Sequence, residues 1–404
     1  MPWKEMCRMD QKRQFVLEWR SGSMSRSGLC ELYGIRRQTG YKWAKRFEGS
    51  RSWKALEERS RRPLQSPQST TRKLVKLILS QKKQFPNWGP IPILKRLQTH
   101  WPQHPWPAPS TIGAILKRHG MVRARYRRHR LPPRTRPFLH CREPNDVWCI
   151  DFKGQFRTLD AQMCYPLTVM DATTRYLFLC KGFRSPTLTN VKSALEELFK
   201  EYGLPKAIRS DNGEPFAAAS AAGGLSRLSA WWCKLGIRLE RIDPGKPQQN
   251  GRHERMHLTL KIETCSPPKR NLGVQQRAFD RFCRMYNEVR PHQALALRTP
   301  ASLYEPSPRR MPIHLPRLHY PFSDCHRVAS NGSIRLGRRR LNISSSLAGE
   351  IIGINQIDAR YSQVAFGDIV LGFLDSQNLE RGLIVPKGNR RRHSASRVSA
   401  MSPV

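Results

Sequence analysis

Val147-Trp148-Cys149-Ile150-Asp151-Phe152 has the composition of a β-strand, yet it sets a carboxylate between isoleucine and phenylalanine. β-branched and aromatic residues favour the pleated conformation. A charge in mid-strand is expensive unless something pairs with it. Asp151 is therefore either an edge acid facing solvent or part of a site.

Reading outward, Cys164–Val169 and Tyr176–Gly182 repeat the strand pattern, with Asp171-Ala172-Thr173-Thr174 as the turn between them. A helix is expected over Thr187–Tyr202, then a short strand, Lys206–Arg209, that ends in Ser210-Asp211-Asn212-Gly213. A helix near Gly224–Leu235, a strand at Ile237–Ile242 and a long helix from about Gln248 close the unit. Three antiparallel strands followed by alternating helices and parallel strands describe an α/β, ribonuclease H-like core over 145–310.

Two further acids join Asp151. Asp211 falls at the C-terminal end of a strand, where open α/β sheets place ligands. Glu254 falls on the long helix. Each has an ordinary reading: an exposed edge acid, a turn former, a helix-face charge. Together they make three hard oxygen donors with no His or Cys ligand, a set that suits Mg²⁺ or Mn²⁺ rather than zinc. Asp171 reads as a sheet-end residue, not a fourth ligand.

Charge identifies the partner class. The chain has 404 residues, with 72 Lys and Arg against 30 Asp and Glu, a formal charge of +42. Such an excess points to a polyanion, DNA or RNA, because phosphate contacts dominate affinity through counterion release. Between Arg59 and Arg142 there is no Asp or Glu, while the same span holds 20 Lys and Arg. A solvated helical face usually mixes signs, so this span reads as modules laid along a phosphate backbone. Its densest part carries Arg123, Arg125, Arg127, Arg128 and Arg130 and has too many prolines for a helix. It is read as a basic linker, 121–144, that contacts DNA, a disordered spacer being the alternative.

The N-terminal 58 residues read as helices: Asp10–Trp19, Ser25–Tyr33 and Ile35–Phe47, with Gly34 as the turn between the last two. This is the rhythm of a helix-turn-helix. Leu29, Ile35 and Trp43 would pack the pair, leaving Arg36, Arg37, Gln38, Thr39 and Lys42 to meet the major groove or its phosphates. A second helical unit, 59–120, is expected to hold helices at Thr71–Gln84, Pro90–Thr99 and Ser110–His119. Beyond Pro316, alternating segments from Ser333 to Phe373 suggest a small all-β domain over 320–385, a barrel-like closure or a sheet, and a basic, Ser-rich, disordered tail follows from 386. The arrangement is thus multidomain: all-α units, an α/β core and a small all-β domain.

Other classes recede. The ten cysteines are scattered with no CxxC pair, and His100 and His104 have no cysteine pair to complete a zinc site. No apolar run approaches the roughly 20 residues that span a bilayer. The expectation is a cytoplasmic protein with reduced thiols and no membrane partner.

Three runs carry a family resemblance. Trp148-x-x-Asp151-Phe152, Ser210-Asp211-Asn212-Gly213-Glu214-Pro215-Phe216 and Pro244-Gly245-Lys246-Pro247-Gln248-Gln249-Asn250-Gly251-x-x-Glu254 resemble the integrase catalytic core of bacterial insertion-sequence transposases, DDE enzymes related to retroviral integrases. Tyr286-Asn287-Glu288-Val289-Arg290-Pro291-His292-Gln293-Ala294-Leu295 looks like the same family's distal signature. The resemblance implies two Mg²⁺ or Mn²⁺ ions, bridged by Asp151 and held singly by Asp211 and Glu254. It implies that water frees a 3′-OH at an element end and that this 3′-OH then attacks target DNA. It also implies that Asn250 orients the site, that Lys261 holds a DNA phosphate, and that the protein works as a homo-oligomer on double-stranded DNA. One departure is the long interval from Asp211 to Glu254, attributed to an Ala-rich insert, Phe216–Leu228, read as a surface loop and helix extension. Two other readings remain: a DNA-binding regulator with an inactive core, and a nuclease that cuts without joining.

Overall fold

The computed structural model describes residues 7–58, 69–122, 141–218, 221–243, 247–320 and 324–385. The Arg123–Arg130 arginines, most of the basic linker, the Pro244-Gly245-Lys246 segment and the tail from 386 lie outside the described residues. Two compact units are present, Met1–Thr71 and Arg72–Val404.

In the first unit, α1 (Arg8–Ser21), α2 (Arg26–Leu32) and α3 (Arg37–Ser50) close around Phe15, Val16, Leu29, Cys30, Trp43, Phe47 and Leu56. Ser25 starts α2 by accepting the Gly28 N–H at 3.2 Å, the usual role of an N-cap hydroxyl. Gly34 sits at φ +62° between α2 and α3, a conformation that glycine adopts without strain. Ile35 packs at the edge of this core beside Leu29 and Trp43.

The second unit opens with α4 (Arg72–Gln84), α5 (Pro90–His100) and α6 (Pro109–Arg118). Proline leads both α5 and α6, where its missing N–H has no intrahelical partner to lose. Ile78, Ile93, Leu97, Ile112, Ile115 and Leu116 form their core, and Met285 and Val289 pack against it.

The central sheet contains β1 (Val147–Phe152), β2 (Phe156–Arg157), β3 (Met163–Asp171), β4 (Leu177–Phe183), β5 (Ala207–Ser210) and β6 (Arg238–Arg241). Its order is β2-β3-β1-β5-β6, with β4 also on β3. β1, β3 and β4 run antiparallel, whereas β1, β5 and β6 run parallel. Period-two alternation sends Trp148, Ile150 and Phe152 to one face. There they join Val191, Leu195 and Phe199 of α7 (Leu188–Tyr202) and Leu228, Trp231 and Trp232 of α8 (Arg227–Lys234). Val147, Cys149 and Asp151 therefore take the opposite face, which α9 (Gly251–Leu260) and α10 (Leu272–Arg284) cover.

Several boundaries move for physical reasons. α8 starts at Arg227 rather than near Gly224, because Ser226 and Ser229 form a reciprocal capping box. The long helix begins with a 3-10 turn, Pro247–Asn250, becomes α-helical at Gly251 and widens to a π-turn at Lys261–Cys265.

The insert does not behave as a surface loop. Phe216, Ala217, Leu225 and Leu228 are buried. Ala222, Leu225 and Ala230 belong to the core of the C-terminal β region, with Ile334, Ile352, Val364, Phe366 and Leu371. An alanine-rich segment can be covered as readily as exposed, and here a neighbouring sheet supplies the cover. At Gly224, φ is +66° and an added Cβ would fall on the Arg241 guanidinium, which donates to the Gly224 carbonyl at 2.7 Å.

The C-terminal region contains β7 (Asp324–Arg327), β8 (Ser333–Leu336), β9 (Arg339–Asn342), β10 (Ile351–Gln356), β11 (Tyr361–Phe366) and β12 (Ile369–Asp375). Of the small barrel or sheet expected there, the region forms an antiparallel sheet, β12-β11-β10-β7, with a separate β8-β9 hairpin over one core. β7 went unread in the sequence because Asp-Cys-His-Arg has no apolar alternation.

Candidate active site

The sheet register positions two of the three carboxylates. β1 and β5 pair in parallel with Cys149 opposite Arg209. Continuing two residues along each chain, on the same face, brings Asp151 beside Asp211 at the C-terminal strand ends. Glu254 reaches the same region from α9, one turn into the helix.

Electrostatics reports their proximity. Burial pushes the Asp151 carboxyl up to about 8, with repulsion from Asp211 next in importance and a smaller contribution from Glu254. Asp211 is also raised by burial, although its Oδ1 accepts the Gly213 N–H at 3.1 Å. Glu254 is raised by burial and eased down by Lys153. Like charges brought together resist joint ionisation. Accordingly, among the described residues no three His, Cys, Asp or Glu side chains are gathered tightly enough to hold a metal ion.

The donor set nevertheless suits a hard divalent cation. It offers three carboxylates from adjacent elements whose repulsion a cation would relieve, with no soft ligand competing. Lys153, two residues beyond Asp151 on the same chain, supplies a positive charge to this cluster that the sequence reading missed.

Behind Asp151 lies a buried network. Thr168 is the ladder partner of Asp151, so both side chains share a face. Its hydroxyl donates to the Asp151 carbonyl at 3.0 Å and lies 2.7 Å from both His253 Nε2 and His257 Nε2. A hydroxyl has one proton and two lone pairs. With the proton spent on the carbonyl, both imidazoles donate from Nε2 and stay neutral. Burial lowers the basicity of both rings, His253 to about 3. His257 Nδ1, then unprotonated, faces Asp151 Oδ2 at 3.8 Å. The i, i+4 histidine pair was visible on the helix, but its target became known only with the strand register.

Other expected residues fall elsewhere. Asn250 is buried at the start of α9, and its Oδ1 has no hydrogen-bond partner among the described residues. Lys261 is half-buried where the helix widens. Asp171 closes β3 and accepts from the N–H groups of Asn145, Thr173 and Thr174 and from the Thr174 hydroxyl, within 3.2 Å. Arg36, Arg37, Gln38 and Lys42 are exposed at the start of α3, and Thr39 is half-buried. Among the described residues, no helix is long and apolar enough to cross a membrane.

Comparison with known proteins matches residues 142–247 and 235–300 to the integrase core domain. An uncharacterized protein of insertion element IS407 from Burkholderia multivorans is 30% identical over 159 residues, which is 39% of this chain and 54% of that protein. An uncharacterized protein of insertion element IS476 from Xanthomonas euvesicatoria is 29% identical over 182 residues, 45% of this chain and 50% of that protein. The chain thus spans about half the length of these relatives. Among solved structures, the HTLV-2 integrase catalytic core domain in complex with magnesium overlays 42% of this chain and 100% of its own, at 14% identity and a TM-score of 0.32. Residues 142–300 match the integrase core domain, and the chain is similar to insertion-element proteins.

Proposed function

We propose that this protein is a DDE transposase that binds the terminal repeats of an insertion sequence and catalyses metal-dependent DNA cleavage and strand transfer. The observation that supports the reading is the strand register that sets Asp151 beside Asp211, with Glu254 sharing their electrostatics, within segments matched to the integrase core domain. Asp151, Asp211 and Glu254 would hold two divalent ions, Mg²⁺ or Mn²⁺. When bound, such ions stabilise the attacking and leaving oxygens of an in-line phosphoryl displacement.

The chain's own residues set the stage for that chemistry. Thr168, His253 and His257 lock β1, β3 and α9 together, which fixes Asp151 relative to Glu254. Lys153 moderates the negative charge of the carboxylate cluster. The exposed residues Arg36, Arg37, Gln38 and Lys42, with Thr39, read the element end as a helix-turn-helix, and the basic linker with Arg123, Arg125, Arg127, Arg128 and Arg130 follows the phosphates. Lys261 holds a phosphate beside the site, and Asn250 orients it. Two element ends require at least two active sites, so the working form is a homo-oligomer on double-stranded DNA in the bacterial cytoplasm.

The test is a Mg²⁺-dependent strand-transfer assay on DNA carrying the element's terminal repeats, comparing the native chain with Asp151→Ala. Joining by the native chain and none by the variant is expected. Activity that survives the substitution overturns the mechanism. Cleavage without joining makes the protein a nuclease, and binding without cleavage makes it a regulator.

A further inference from the structure

Arg175 lies in the turn between β3 and β4 at φ +66°. Its Nε is buried with no hydrogen-bond partner among the described residues, and the same is true of Thr173 Oγ1 in the same turn. Burial, with the charge of the neighbouring Arg252 next, lowers the basicity of this guanidinium to about 10. Arg252, on the first turn of α9, donates to the Ala172 carbonyl at 2.6 Å and so closes onto this turn. Arg175 is half-buried, and a charge drawn partly out of water is ordinarily paired. This one forms no ion pair with a described residue.

The surrounding acids are already committed. Asp171 accepts four hydrogen bonds from its own turn and from Asn145. The Tyr286 phenol and the Cys149 thiol, which also face Arg175, are both pushed up to about 12 by burial and stay neutral. Among the described residues, Asp171 is the carboxylate that acts on Arg175, and its oxygens are taken up by these four hydrogen bonds.

We infer that the β3–β4 turn and the start of α9 form an anion site for a phosphate oxygen, bound by the Arg175 guanidinium and the Thr173 hydroxyl beside the Arg252 charge. The occupant is a phosphodiester of the DNA, so the inference rests on the nucleic-acid reading above. Asp171 is the ladder partner of Trp148, three residues before Asp151. That separation is about 10 Å along the strand. Arg252 precedes Glu254 by two residues on α9. Duplex phosphates recur about every 3.4 Å along each strand, so a strand held at the carboxylates has further phosphates at a separation that this turn could meet. A planar fork with fixed donors suits a phosphate better than a point charge does.

The test uses the full chain and three measurements: thermal midpoint without DNA, duplex affinity across a salt series, and stabilisation by inorganic phosphate. Arg175→Met removes an uncompensated charge while keeping length. It is expected to raise the midpoint without DNA by about 2–4 °C, to weaken duplex binding about tenfold, and to reduce the slope of log affinity on log salt by about one. Arg175→Lys retains the charge and should keep the native slope while binding more weakly. It decides the matter if Arg175→Met fails to fold. A lower midpoint in either folded variant with unchanged affinity and slope would mean a structural cation and overturn the site. Lost phosphate stabilisation with an unchanged DNA slope overturns DNA as the source of the anion. If the native chain shows no salt-dependent DNA binding, the nucleic-acid reading fails, and phosphate stabilisation that disappears in Arg175→Met still supports the anion site.

Discussion

Asp151 shows how a single residue is made reactive at the expense of stability. Its carboxyl, raised to about 8, prefers the proton in the folded state. An acid whose folded value is raised loses stability as pH climbs from its unfolded value, about 4, toward the folded one. The metal-free protein is therefore expected to lose thermal stability between about pH 4 and pH 8, and Asp151→Asn should flatten that loss. The same variant should melt about 2–4 °C higher at neutral pH while supporting no strand transfer. Adding Mg²⁺ should raise the midpoint of the native chain but not of Asp151→Asn. Calorimetric scans at several pH values, with and without metal, check all three outcomes, and a variant that melts lower would contradict them.

Elements matter here through the joints between them. β3 and α9 meet at one hydroxyl, Thr168, which satisfies two imidazoles and a backbone carbonyl. Thr168→Val keeps the shape but leaves those three groups without a partner, at a cost of about 1–3 kcal/mol. Urea titration should show a lower midpoint with an unchanged slope. Strand transfer should fall more steeply than stability does, because the α9 carboxylate loses its registration with β1. A second joint ties the insert to β6: Gly224 accepts from Arg241 and occupies a positive-φ position. Gly224→Ala is expected to destabilise the protein by at least about 1 kcal/mol, read from the same titration. A neutral result would mean that the insert is loosely held.

For the second compact unit as a whole, the C-terminal β region acts as structural cover for the core. Ala222, Leu225 and Ala230 are buried beneath its strands. Lys234 on α8 binds Glu350 at 2.9 Å, and Ser346 donates to the Leu225 carbonyl at 2.6 Å. Truncation after Leu318 would bare that apolar surface. The shortened chain is expected to melt earlier and to bind a hydrophobic dye, whereas unchanged melting would show the β region to be an independent attachment. Such cover also links the region after Asp211 to the C-terminal sheet, because the insert begins at Phe216, whose ring packs against Phe152 and Trp232.

The amino-acid sequence by itself determined the order of most helices and strands, the basic character of the chain and the three candidate carboxylates. These follow from local periodicity, turn chemistry and charge, none of which needs a distant contact. The helical starts at Ser25 and Pro109 and the strand at Val147–Phe152 were legible for that reason. Only the tertiary structure decided which neighbours each side chain meets. Thr168 joined the site through strand register, Lys153 through a charge brought near the carboxylates, and the alanine-rich insert through a sheet more than 100 positions further along the chain. Arg175 reads in sequence as one more surface arginine among 72 basic residues. Its meaning depends on where the Asp171 carboxylate has already been spent, and that depends on packing, which local sequence does not encode.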